Sequence, residues 1–111
     1  MITRQYARIS ADIKVNCNEE IKSIARDISE GGMKIITSED FPMGSYISLQ
    51  FAMTPDHFIS THGKVIWKRN LDNGYKLTGL QFWGLSVQDQ AKIRDYIISQ
   101  IQSSQSTTQA G

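Results

Sequence analysis

Apolar and polar residues alternate along most of this chain. Ile9, Ala11, Ile13, Val15 and Cys17 fall on one side of a two-residue repeat, and Ser10, Asp12, Lys14 and Asn16 on the other. That is the pattern of a strand with one buried face. A polar turn at Asn18-Glu19-Glu20 leads to a second, less regular strand from Ile21 to Ile28. Gly31-Gly32 permits positive φ and punctuates the chain before a short third strand, Met33 to Thr37. Ser38 to Gly44, with Pro42, reads as a loop. Ile47, Leu49 and Phe51 share a face of a fourth strand, Tyr46 to Ala52. After a turn at Thr54 to His57 comes a long fifth strand, Phe58 to Lys68, with Ile59, Thr61, Gly63, Val65 and Trp67 in phase. Asn70 to Gly74 contains Asn-Gly, a hairpin signal, and Tyr75 to Trp83 forms the sixth strand. The period then changes. Ile93, Ile97 and Ile101 recur every fourth residue beside Tyr96, which predicts an amphipathic helix from Val87 to Ile101. Ser86 is its expected N-cap, and Ser86-Val87-Gln88-Asp89 approximates a capping box.

The predicted fold is therefore mainly β: a small six-stranded antiparallel β-barrel closed by a C-terminal α-helix. Periodicity alone leaves several small-barrel topologies open. The expected organisation is a flexible arm over residues 1–8, a domain over 9–101, and a disordered polar tail over 102–111, where Ser, Gln and Thr dominate.

Composition narrows the chemistry. A chain of 111 residues with 40% hydrophobic residues supports one domain with a modest core. A net charge of +1 offers no broad electrostatic footprint for DNA or RNA, although a small dianion needs only a few local cations. No apolar run approaches the roughly 18 residues of a membrane span, and the N-terminus lacks an apolar signal region. The lone Cys17 cannot form an internal disulfide and reads as a small buried thiol. These features point to a cytoplasmic protein without membrane insertion. His57 and His62 stand five apart on a turn and a strand, with no third ligand at a metal-like spacing. No nucleophile elbow, zinc-protease helix or P-loop is present. The expectation is a non-enzyme with no catalytic residue, no metal and no cofactor.

Two short motifs remain unexplained by core packing. Arg4-Gln5-Tyr6-Ala7-Arg8 is an R-x-x-x-R, and Asp27-Ile28-Ser29-Glu30-Gly31-Gly32 is a D-x-S-x-x-G at a strand-to-strand connection. The first alone occurs by chance in roughly one chain in four of this length. The two in this order, about twenty residues apart, are expected in well under about one per cent. Side chains at i and i+4 of an extended arm point the same way, so Arg4 and Arg8 can grip one ligand together. Arginine's planar fork suits phosphate oxygens and the O6/N7 edge of guanine. Asp27, acceptor-only when ionised, suits a base edge with adjacent N–H donors. Gly32 permits close backbone approach.

Together with Val65-Ile66-Trp67 and Gly79-Leu80-Gln81-Phe82, these motifs resemble the PilZ domain, a bacterial receptor module for cyclic di-GMP, over about residues 4–101. The resemblance implies a six-stranded barrel with a packed C-terminal helix. It implies that Arg4, Arg8, Asp27, Ser29 and Gly32 contact cyclic di-GMP, with Trp67, Arg26 and Lys34 as peripheral candidates. Trp67 fits two places: the apolar face with Val65, or the rim of the site, where similar PilZ domains carry a tryptophan. The implied role is that of a second-messenger receptor whose arm orders on the ligand and signals to a separate effector in motility, pilus, chemotaxis, exopolysaccharide, biofilm or virulence machinery. Thr3, before the first arginine, adds no cation and favours one ligand per chain. Two other classes compete. A PilZ-like adaptor without nucleotide binding would lack the two motifs. A single-stranded nucleic-acid barrel would need a basic groove with interleaved aromatics.

Overall fold

The computed structural model describes residues 7–109, with side chains described through residue 103. Six strands follow in order: β1 Ile9–Cys17, β2 Ile21–Ile28, β3 Gly32–Thr37, β4 Tyr46–Ala52, β5 Phe58–Asn70 and β6 Lys76–Trp83, followed by the helix α1 Val87–Gln109. The strands pair antiparallel into a closed barrel in the order β1-β2-β3-β6-β5-β4. Closure removes both sheet edges, so within the barrel every strand has a partner on each side.

The inward positions are those of the two-residue repeat. Ile13, Val15, Cys17, Ile35, Leu49, Phe51, Ile59, Val65 and Leu80 are buried and form one core with Ile93 and Ile97 of α1. Burial of roughly this many aliphatic side chains, each worth about 1.5–3 kcal/mol, is the main driving force. The turns carry the residues their geometry needs. Asn18 and Glu19 are left-handed between β1 and β2, and Asn73-Gly74 is left-handed between β5 and β6. Asn18 also closes the barrel between β1 and β4: its N–H donates to the Ser48 carbonyl, and its Oδ1 accepts from the Ser48 N–H, both at 3.0 Å. Ser86 caps α1, its Oγ accepting from the Asp89 N–H at 3.0 Å.

Three expectations need correction. The helix runs past Ile101 to Gln109, so most of the segment expected as disordered tail has helical backbone. No Gly or Pro stands between Ile101 and Gln109, and extending an existing helix is cheap compared with starting one. Ile101 itself is exposed rather than part of the buried stripe, because the helix by then has outrun the barrel wall. Positive φ falls at Gly44, Gly74 and Gly84, not in the Gly31-Gly32 pair. Lastly, the alternation breaks twice. A bulge between Ala25 and Asp27 in the β2–β3 pairing turns Asp27 outward, where strict alternation would bury it beside Ala25. Another between Val65 and Trp67 in the β5–β6 pairing puts Trp67 opposite Gly79 on the outer face, where strict alternation would bury it with Val65. Trp67 is therefore not a core residue.

Candidate functional site

These two bulges, with a third register shift between Ser10 and Ile13 in the β1–β2 pairing, align a row of side chains around the outside of the barrel. Register pairs Ser10 with Asp27, Asp27 with Lys34, Lys34 with Gly79 and Gly79 with Trp67, across β1, β2, β3, β6 and β5. Asp27 is the hub. Its Oδ1 accepts from the Arg8 guanidinium Nη1 at 2.6 Å and from the Lys34 backbone N–H at 3.1 Å. Its Oδ2 faces the Lys34 ammonium at 3.3 Å. The carboxylate is only 15% exposed, against 41% and 40% for the two cationic side chains. One anion recessed in the sheet thus holds two cations at the surface. The Lys34 ammonium lies 5.9 Å from the centroid of the Trp67 ring, within cation–π range. Gly79 is what lets the ring lie flat against β6: a Cβ there would stand 2.3 Å from the indole Nε1.

The D-x-S-x-x-G segment is a tight, fully hydrogen-bonded turn. The Ser29 N–H donates to the Gly32 carbonyl at 2.9 Å, and Ser29 Oγ accepts from the Gly31 N–H at 3.1 Å. The Ser29 hydroxyl also reaches the Gly32 carbonyl at 3.5 Å, and the residue is only 2% exposed. The Phe82 N–H of β6 donates to the Gly31 carbonyl at 2.8 Å, which anchors the turn to the sheet. Gly32 is required by packing rather than by dihedral freedom: a Cβ at this position would lie 2.0 Å from the Leu80 carbonyl oxygen. Between this turn and Arg8 is an open cleft of about 510 Å³, lined also by Ile66, Leu80 and Gln81. A larger hollow, about 770 Å³, lies beside Ser10–Lys14 and Tyr96 and contains neither motif.

The structure thus brings Arg8, Asp27, Lys34 and Trp67 together, and sets Ser29 and Gly32 in the adjoining cleft. Arg4 lies outside the described residues. Arg26 takes a different partner, Asp12 at 3.4 Å, with both side chains exposed. Sequence reasoning missed Ile66 and Gln81. Gln81 carried a signal, since alternation with the buried Leu80 turns it outward. Ile66 carried the same signal, since alternation with the buried Val65 turns it outward. A further link joins the turn to the helix, where the Arg94 guanidinium approaches Glu30 Oε1 at 3.5 Å.

Other reactive groups are quiet. Burial pushes the Cys17 thiol up, partly offset by its hydrogen bond to Ser23, which keeps it protonated and unreactive near neutrality. Lys68, by a 2.8 Å hydrogen bond and its charge, holds the Asp40 carboxyl below its ordinary value. No group of three metal-ligating side chains is found among the described residues. None of the described helices is long and apolar enough to cross a membrane.

Comparison with known proteins agrees with this fold. The family model of the PilZ domain matches residues 2–99. Among solved structures, the Bacillus subtilis inhibitor of motility (MotI/DgrA) superimposes with a TM-score of 0.81 at 23% identity, covering 93% of this chain and 53% of that one. Escherichia coli YcgR in complex with c-di-GMP gives a TM-score of 0.78 at 16% identity, covering 96% and 50%. The isolated PilZ domain of YcgR with c-di-GMP gives 0.69 at 18%, covering 96% and 97%. The chain spans about half the length of the MotI and full YcgR structures. No curated protein matches it.

Proposed function

This chain belongs to the PilZ domain family, and on that premise we propose that it is a receptor for cyclic di-GMP. The observation that carries the reading is the Arg8–Asp27 pair at 2.6 Å on the lip of the cleft formed by the Ser29–Gly32 turn. Two arginine forks, from Arg4 and Arg8, supply the charge that two phosphodiesters need. Asp27 supplies the acceptors for the guanine N1–H and N2–H edge. Ser29 and Gly32 form the wall against which the ligand rests, and Lys34 and Trp67 form the rim.

In the free protein the acceptors of Asp27 are taken by Arg8 and Lys34. Binding is therefore an exchange. Guanine N–H groups replace the Arg8 N–H on Asp27, and the released guanidinium turns to phosphate or to guanine O6/N7. The arm over residues 1–8 closes with it and becomes ordered, at a cost of about 1–2 kcal/mol per residue that ligand contacts offset. The output is a changed surface read by a separate effector protein, with no catalytic step in this chain. The likeness to MotI, an inhibitor of motility, and to YcgR in complex with c-di-GMP supports both the ligand and a motility-related effector.

The test is calorimetric titration of the full chain with cyclic di-GMP, cyclic di-AMP, GTP and single-stranded DNA in one buffer. Cyclic di-GMP should bind, and adenine, which lacks the N1–H and N2–H pair, should be rejected by several kcal/mol. Asp27→Asn should narrow that gap. Equal wild-type affinity for the two cyclic dinucleotides would remove the guanine-reading role from Asp27. Absence of any binding would leave the adaptor reading.

A further inference from the structure

We infer that the outer face of β2, β3 and β6 is a docking surface for an acidic segment of a partner protein with an apolar centre. It is distinct from the ligand cleft and does not depend on the ligand reading. Register alone assembles it. Lys14 pairs with Ile24, Ile24 with Ile36, Ile36 with Leu77, and Leu77 with Arg69. Three apolar residues therefore stand side by side on an outward row, with a cation at each shoulder. The buried residues Ser23, Ala25, Ile35 and Thr78 flank them in sequence, so this row faces away from the core. Ile24 is 41% exposed, and Ile36 and Leu77 are half-buried.

Cross-strand packing explains why Ile36 and Leu77 pair with each other. It does not explain why the row ends in uncompensated cations. Lys14, Lys22 and Arg69 are exposed, and none has an ion-pair partner among the described residues. Nearby cations are neutralised instead: Arg26 by Asp12, Lys34 by Asp27 and Lys68 by Asp40. In a chain whose net charge is only +1, this face keeps its positive charge while its neighbours do not.

A groove of about 440 Å³ runs between β1 and β2, lined by Lys14, Lys22, Ser23 and Ile24 among others. It offers a carboxylate a seat between two ammonium groups, beside an exposed isoleucine. β2, β3 and β6 are each paired on both sides, so a partner must dock on this face by side chains rather than by adding a strand. An anionic membrane is the less fitting occupant. Of its three apolar residues only Ile24 is exposed, while Ile36 and Leu77 are half-buried, which leaves little apolar surface to enter a lipid layer. The row lies about two residues, or roughly 7 Å, along the strands from Asp27, Lys34 and Gly79. A partner seated here would sit against the edge of the ligand site.

The experiment is NMR titration of the full chain, without nucleotide, using three probes: a helical peptide with leucine on one face and glutamate elsewhere, the same peptide with lysine for glutamate, and phosphatidylglycerol vesicles. The leucine–glutamate peptide should shift the amides of residues 14–16, 22–24, 35–37, 69 and 77. Lys14→Glu with Lys22→Glu, at exposed positions that do not threaten folding, should weaken it at least about tenfold, by more than roughly 1.4 kcal/mol. Ile24→Asp, checked for folding by its amide spectrum, should do the same. Both variants should keep wild-type affinity for cyclic di-GMP, which separates this surface from the cleft. Failure of cyclic di-GMP to bind would count against the receptor reading and leave the peptide result standing. Equal binding of the lysine peptide, shifts centred on Tyr46 and Trp83, or no shifts would overturn the inference. Vesicle binding lost in the charge-reversal variant would overturn it in favour of a lipid surface.

Discussion

The two halves of the proposed site lie in one cleft but are held by different physics. The turn half, Ser29 to Gly32, is locked: its serine is buried, its amides and carbonyls are bonded to each other and to β6, and Gly32 has no room for a methyl group. The arm half, Arg8, is exposed and tethered through one carboxylate. The turn is thus part of the fold, with a geometry as stable as the barrel. Arg8 is held by an ion pair of a kind worth about 0–1 kcal/mol at a surface, so its position is open to change by a competing ligand. A receptor needs both: a preformed wall that recognises shape, and a weakly held group that can switch partners.

The strongest test of this contrast is Gly32→Ala. The added methyl must push β3 away from β6 at the Leu80 carbonyl. Stability should fall by about 3 kcal/mol, read as a lower urea midpoint, and ligand binding should fall with it. An unchanged midpoint would show that the turn is as pliable as the arm.

Arg8→Ala should behave oppositely. Its stability should stay within about 0.5 kcal/mol of wild type, while cyclic di-GMP affinity drops by about 1.5–3 kcal/mol, roughly ten- to more than a hundred-fold. Calorimetry on a variant shown to be folded separates the two quantities. A destabilised protein with normal affinity would reverse the assignment.

Alkaline pH should act on the barrel core through Cys17 and leave the Arg8 contact alone. Below the ordinary thiol value of 9.0, Cys17 is neutral in the folded and unfolded states and contributes no pH dependence. Above it the unfolded chain ionises while the buried thiol resists, so the unfolded state is favoured and stability falls as pH rises. Cys17→Ala should remove that part of the alkaline slope in urea titrations between about pH 8 and 10. An identical slope in the variant would mean that Cys17 is more accessible than its burial implies.

The smallest effect is expected from Arg94→Ala, which cuts the link between α1 and Glu30. With the Arg94 side chain half exposed and the ion pair at 3.5 Å, stability and affinity should each change by less than about 0.5 kcal/mol. A larger loss of affinity would show that the turn borrows rigidity from the helix.

Much of this was legible in the order of residues. The six strands, their turns and the capped helix follow from local periodicity and from Asn, Gly and Ser at the breaks, since backbone conformation responds to nearest neighbours. The two motifs could be read because their residue types are rare together and because charge and hydrogen-bonding chemistry belong to single side chains. The strand order within the barrel and the bulges could not be read that way. A bulge is a mismatch between two paired strands, and neither strand contains it alone. Alternation accordingly left Trp67 between the apolar face and the rim of the site, and the Val65–Trp67 irregularity turned it outward. Tertiary pairing likewise promoted Lys34 from a flanking cation to a partner of Asp27, and brought Ile66 and Gln81 to the cleft. It also gave Gly32 its reason, a carbonyl of a strand some fifty residues away that occupies the space of a side chain. The chemistry of this protein was written in its sequence; which groups meet, and how firmly each is held, was decided by register, because only the folded barrel sets distant strands side by side.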